Sequence, residues 1–383
     1  MLAAAVAVLV FAAQDLPPGY QHFYNLDFGP ALAEFERQAA ANPNDPEAHN
    51  HIAHTILYAE MFRNGALESE MVSGTNAFLR REGLQPSKAD QAKFAAAIDK
   101  SIGLCEDRIK RNEKDKDAYY ALGVAYGLKA NYDFLVNKAW SDALSAAGKA
   151  RKQHEKVTEI DPEFVDAYLT QGIHQYVVGS LPKTVRFFGF FIGFRGDRAK
   201  GIELLRKVEI YGQRNRIDAE IMLAAIYRRE KKPEYAIPLL AVLSQRFPRN
   251  FLLQFELVQM HADLGDKVKC LAILDQIEAN RTARRDGYER VTKERVAYAR
   301  GNLLFWYQDF APALASLKTA VADVSQLNLG TGQLAWMRLG QVHDMRNERK
   351  EAVAAYEKAI ALAPKSEVAK ECKSYKSKPY RRT

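Results

Sequence analysis

The 383-residue chain is poor in cysteine, with only Cys105, Cys270 and Cys372. An odd number spaced this far apart excludes both a disulfide framework and a cysteine-based zinc site. Apolar runs long enough to cross a bilayer are also lacking. The stretch MLAAAVAVLVFAA at the N-terminus and FFGFFIGF at 187–194 both fall short of the roughly 20 residues that a spanning helix needs. No Pro/Gly/Ser-rich linker or low-complexity tract divides the chain, so no flexible hinge between domains is expected. A P-loop, a dinucleotide fingerprint, an HExxH pair and a nucleophile elbow are likewise missing, and GTGQ at 330–333 reads as a helix start. No cofactor, metal or catalytic residue is therefore expected, and the protein reads as a non-enzyme. Charge is nearly balanced, 55 Lys and Arg against 47 Asp and Glu, for a net +8. Part of the excess sits in the C-terminal CKSYKSKPYRRT. Without a recognition motif it does not support a nucleic-acid partner.

What is present is a periodic, core-forming chain, 48% hydrophobic and 27% charged. In residues 333–366 the small residues Gly340, Ala352 and Ala359 alternate with the bulky Trp336, Leu339 and Tyr356, and Pro364 closes the segment. Small residues let two antiparallel helices approach closely, and large ones fill the space toward the next pair. The spacing recurs at 217–250 (Leu223, Ala224, Tyr227, Ala236, Leu240), at 251–284 (Leu257, Val258, Cys270, Leu274) and at 294–327 (Ala297, Gly301, Ala313, Leu317). Cys270 stands where the pattern asks for a small packing residue. The unit at 294–327 reads as preceded by a longer helix through RDGYERVTKERV.

Toward the N-terminus the units stretch. Residues 116–164 carry about fifteen extra residues between their helices, and 165–216 about seventeen. The segment 45–115 has a larger insertion still, and Ala31, Phe35 and Pro43 mark a lone second helix before it. These residues resemble the tetratricopeptide repeat, whose signature they match unit by unit. The resemblance implies an all-α, right-handed superhelical solenoid of antiparallel helix pairs. Four regions follow: an apolar leader at 1–13, elaborated units at 14–216, a regular array at 217–366, and a capping helix with a basic tail at 367–383.

The leader ends in small residues, with a cut expected after Ala12 or Ala13. It makes the protein exported, to a periplasm or the exterior; if the run is instead a first helix, the protein is cytoplasmic. In the regular family the concave face is lined by the first helix of each pair. The resemblance implies that Tyr120, Tyr176, Arg228, Phe255, Gln259, Tyr298, Asn302, Phe305, Met337 and Gln341 form a groove for a protein or peptide partner. The lysine and asparagine set with which some members clamp a chaperone's C-terminal carboxylate is not reproduced. A second reading is a lipid or apolar-ligand-binding or membrane-surface factor, docking through Phe187, Phe188, Phe190, Phe191 and Phe194 with a basic flank. Consecutive insertions should meet, so the same phenylalanines are also expected to pack on Trp140. FFIGFRGDRAKGIELLR resembles the tetratricopeptide-repeat-domain-39 and inclusion-body-clearance family through Gly193, Phe194, Gly196, Asp197, Arg198, Gly201 and Leu204. That likeness implies a non-enzymatic role near membranes or lipid stores. Glu47, His51 and His54, at i, i+4 and i+7 of one helix, share a face and are read as structural rather than metal-binding.

Overall fold

The computed structural model describes residues 16–67, 83–181 and 196–382. The leader at 1–13 and all five phenylalanines of 187–194 lie outside the described residues, as does the expected packing of those phenylalanines on Trp140. Among the described residues the chain is helical throughout, with no strand. In chain order the helices are α1 (Pro18–Tyr24), α2 (Phe28–Ala41), α3 (Pro46–Arg63), α4 (Lys88–Arg111), α5 (Lys116–Tyr132), α6 (Trp140–Ile160), α7 (Tyr168–Gly179), α8 (Arg198–Tyr211) and α9 (Arg216–Arg229). They continue with α10 (Pro233–Arg246), α11 (Phe251–Asp263), α12 (Lys267–Thr282), α13 (Lys293–Trp306), α14 (Phe310–Ala320), α15 (Leu329–Met345), α16 (Arg349–Leu362) and α17 (Glu367–Ser377).

Helix starts follow from capping chemistry. Side chains of Asp45, Ser87, Asp115, Asp197, Asn250, Asp266, Thr292, Asn328 and Ser366 each accept a backbone N–H of the helix they precede. The helices pair in sequence, α3 with α4 through α15 with α16, and stack into a right-handed superhelical solenoid. Close approach inside a pair depends on glycine. A Cβ built on Gly340 would lie 2.5 Å from the Tyr356 ring, and one on Gly123 would lie 2.4 Å from His154. Cys105, Cys270 and Cys372 are all fully buried and unpaired, and burial pushes each thiol up, to about 12, 11 and 12.

Local structure departs from a plain helix pair in three places. RDGYERVTKERV is not a longer helix, because α13 begins only at Lys293. Gly287 adopts φ +87°, with its α-carbon against the Arg249 backbone, while Tyr288 and Val291 are buried, so the segment is a packed turn. The extra length in 116–164 is taken up by a 21-residue α6 and a π-helical turn at Asp133–Asn137. Within it Phe134 and Trp140 meet edge to face at 4.8 Å, with Trp140 still half-exposed. Finally, the basic tail packs back onto the array after α17. The Tyr380 amide donates to Asp344, its ring meets Phe305 at 5.8 Å, and Arg382 donates to the Trp306 carbonyl.

Candidate functional site

The first helices of successive pairs line the inside of the superhelix, and the N-terminal segment runs across that channel. Phe23, Tyr24, Leu26 and Phe28 are all buried there. Leu26 turns the chain between α1 and α2 with φ 65°. The turn is held by residues more than 200 positions away. Asn250 donates to the Tyr24 carbonyl at 2.8 Å, the Arg249 amide to Asn25 Oδ1 at 3.0 Å, and Arg290 to the Leu26 carbonyl at 2.7 Å. Arg249 also pairs with Asp27 at 2.7 Å, and the Tyr24 hydroxyl donates to Asp218 at 2.9 Å. Backbone polar groups that would otherwise be buried and unpaired are thereby satisfied. The segment separates two compartments, and Leu26, Phe28, Leu252 and Glu256 contribute to the lining of both.

The larger compartment, of about 980 Å³, lies between the end of α3 and helices α11 and α13. Its lining carries four arginines, Arg63, Arg228, Arg290 and Arg295, against two carboxylates, Glu256 and Asp263. Arg63 pairs with Glu60 and Asp90, and Arg228 with Glu256 at 3.0 Å. The guanidinium of Arg295 lies 4.7 Å from the centre of the Phe255 ring and 5.1 Å from that of Phe251, and Arg290 lies over Phe62. Contacts of this kind hold each guanidinium against an aromatic face. Trp306 at the rim is 48% exposed.

Five of the ten sequence-derived groove residues lie on this wall: Arg228, Phe255, Gln259, Tyr298 and Asn302. Tyr120 belongs to the second compartment. Tyr176 is buried and donates to Glu230, which with burial pushes its phenol up to about 12. Phe305, Met337 and Gln341 are buried as well. Arg338 lies over Phe305 and donates to both Asn302 and Gln341, and the tail residue Tyr380 packs on Phe305. The sequence pattern placed these residues on first helices correctly. It gave no sign of which are covered by the chain's own two ends.

The second compartment, of about 720 Å³, is enclosed by α1, α3, α5, α7, α9 and α11. Glu47, His51 and His54 all line it. Glu47 is paired with Arg214, whose guanidinium also binds Asp117 and covers the Tyr120 ring. Tyr20 hydrogen-bonds His51 Nε2, and His54 sits between Phe23 and Tyr58 at ring distances of 4.6 and 4.4 Å. Burial pushes the His51 imidazole down to about 3 and that of His54 to about 4, so both are neutral at pH 7. Asp218 is pushed up to about 6 by burial, against the hydrogen bond from Tyr24. Among the described residues no group of three His, Cys, Asp or Glu side chains has the geometry of a metal site. Asp218, Tyr58 and Arg214 were not singled out from the sequence. The dense aromatics of PPGYQHFYNLDF, which fit no repeat unit, were the available signal.

Residues 333–366 match the tetratricopeptide repeat family model. Among solved structures the chain is similar to the APC/C hetero-tetramer Cut9–Hcn1, at 12% identity and a TM-score of 0.50, over 92% of this chain and 53% of that one. It is also similar to yeast Tom70, at 14% identity and a TM-score of 0.42, over 94% and 86% of the two chains. With Pseudomonas aeruginosa pilF the figures are 17% and 0.40, over 69% of this chain and 99% of that one. The chain spans about half the length of the Cut9–Hcn1 chain it resembles. No curated protein matches it in sequence.

Proposed function

We propose that this chain, a tetratricopeptide-repeat solenoid, is a non-enzymatic scaffold that holds an extended acidic segment of a protein partner in the 980 Å³ groove. The observation that carries the reading is the wall of α11 and α13. There Arg295 stacks on Phe251 and Phe255 beside the amides Gln259 and Asn302. Guanidinium edges and side-chain amides bind carboxylates and peptide groups, and the aromatic planes take apolar side chains of the same segment. The arginines of the lining favour an acidic sequence through charge-assisted hydrogen bonds. Repeat solenoids present such surfaces along their inner face because each pair adds one more helix to it.

The test is selection of a random peptide display library on the full-length protein. Acidic peptides with an aromatic or aliphatic anchor should be enriched, and a synthetic representative should bind with an affinity that falls as salt rises. Arg295→Glu should abolish that binding without changing the circular dichroism spectrum. Enrichment of basic peptides, or binding indifferent to Arg295→Glu, refutes the reading.

A further inference from the structure

We infer that the 720 Å³ compartment is a binding site for an uncharged, largely apolar small molecule with one hydrogen-bonding head, such as an aliphatic alcohol or primary amide. This site is separate from the proposed peptide groove and does not depend on it. Its volume lies within the range of about 300–1,000 Å³ typical of small-molecule sites. One wall is apolar, built from Val124 and Leu128 of α5, Leu169 and Ile173 of α7, and Met222 of α9. The other, from α1 and α3, is polar.

On the polar wall two groups are available to a ligand. Neither the His54 imidazole nor the Tyr58 hydroxyl has a hydrogen-bond partner among the described residues, though their rings pack at 4.4 Å. Both are only partly buried and line the cavity, while His51 Nδ1 and Asn50 Oδ1 on the same wall are buried with no hydrogen-bond partner among the described residues, so a ligand head that pairs with these groups recovers the cost of leaving them unpaired. Charge decides the kind of head. An anion would meet the carboxylates of Asp218 and Glu47, while the nearby cation, Arg214, is already held by Glu47 and Asp117. A cation would suffer the same desolvation that keeps the His51 and His54 imidazoles neutral. A neutral donor and acceptor avoids both penalties.

The experiment is isothermal titration of the full chain at pH 7.5 with decan-1-ol, decanoate and decylamine, which share one tail length and differ in head charge. Decan-1-ol should bind with a stoichiometry of one, and each charged analogue at least about tenfold more weakly. Ile173→Trp, which fills the apolar wall, should abolish binding. Tyr58→Phe keeps the ring and should weaken binding by about fivefold, the loss of one hydrogen bond. No binding of decan-1-ol, or tighter binding of decylamine or decanoate, overturns the inference. So does unchanged affinity in a folded Ile173→Trp or in Tyr58→Phe. If Ile173→Trp fails to fold, the analogue series and Tyr58→Phe still decide the matter.

Discussion

His154 offers a sharp test of how the packing between repeats is held together. It is buried on α6, its Nδ1 faces the Ala150 carbonyl at 2.9 Å, and its ring fills the space left by Gly123 on α5. Burial pushes its imidazole down to about 4, against about 6.5 in an unfolded chain. The folded pKa is the lower one, so below 6.5 the unfolded chain binds the extra proton, and the stability contributed by neutral His154 is lost as pH falls toward 4. At pH 5 that loss is about 2 kcal/mol, being ~1.5 pH units at ~1.4 kcal/mol each. His154→Phe keeps a ring in the space and removes the proton site; tight contact with Gly123 should cost it about 1 kcal/mol at pH 7.5. Between pH 7.5 and 5.0, wild type should therefore lose about 2 kcal/mol more than the variant. His51 and His54 titrate in the same direction and Asp218 in the opposite one, but they are common to both proteins and cancel in the difference. Urea unfolding followed by circular dichroism at the two pH values gives this double difference. Amide exchange in α5 and α6 gives it locally, as a solenoid can open region by region. Equal pH dependence in the two proteins would refute the assignment of a buried neutral imidazole.

Three other outcomes follow from the structure. The folded pKa of Asp218 is raised to about 6, so its contribution is present below about 3.8 and lost as pH rises through 6; Asp218→Asn, which can still accept from Tyr24, should stabilise the protein at pH 7.5 by about 1–2 kcal/mol and lose that gain by pH 4, measured by urea midpoints. Gly340→Ala would place a methyl 2.5 Å from the Tyr356 ring and should cost about 1–3 kcal/mol, read as a lower thermal midpoint. Truncation after Ser377 removes the Tyr380 ring from Phe305 and the Arg382 hydrogen bond from Trp306, and should speed amide exchange in α13 while leaving α9 and α10 unchanged.

The fold was legible because its determinants are local and periodic. Gly340 against Tyr356, Gly301 against Leu317 and the small Cys270 are separated by fewer than twenty residues within one unit, and the spacing alone declares that two helices must meet there. Asn250, Asp266, Asn328 and Ser366 mark helix starts by the same short-range chemistry. The shape of the inner channel obeys a different rule. It is set by contacts such as Asn250 with Tyr24 and Arg290 with Leu26, where a side chain meets a backbone carbonyl more than 200 residues away. A carbonyl has no residue type, so such a bond leaves no mark at one of its two positions. RDGYERVTKERV shows the cost of reading locally. The spacing of Tyr288, Val291 and Val296, at i, i+3 and i+8, suits one face of a helix, but Gly287 must lie against Arg249 and Arg290 must reach the N-terminal turn, and a helix from 285 onward would satisfy neither. The same logic separates Phe255 from Phe305. Both occupy inner-face positions of a first helix, yet one lines a groove and the other is covered, because Tyr380 at the far end of the chain happens to reach only Phe305. Periodicity tells which residues face the channel; only the packing of the chain's ends tells which of them a partner can touch.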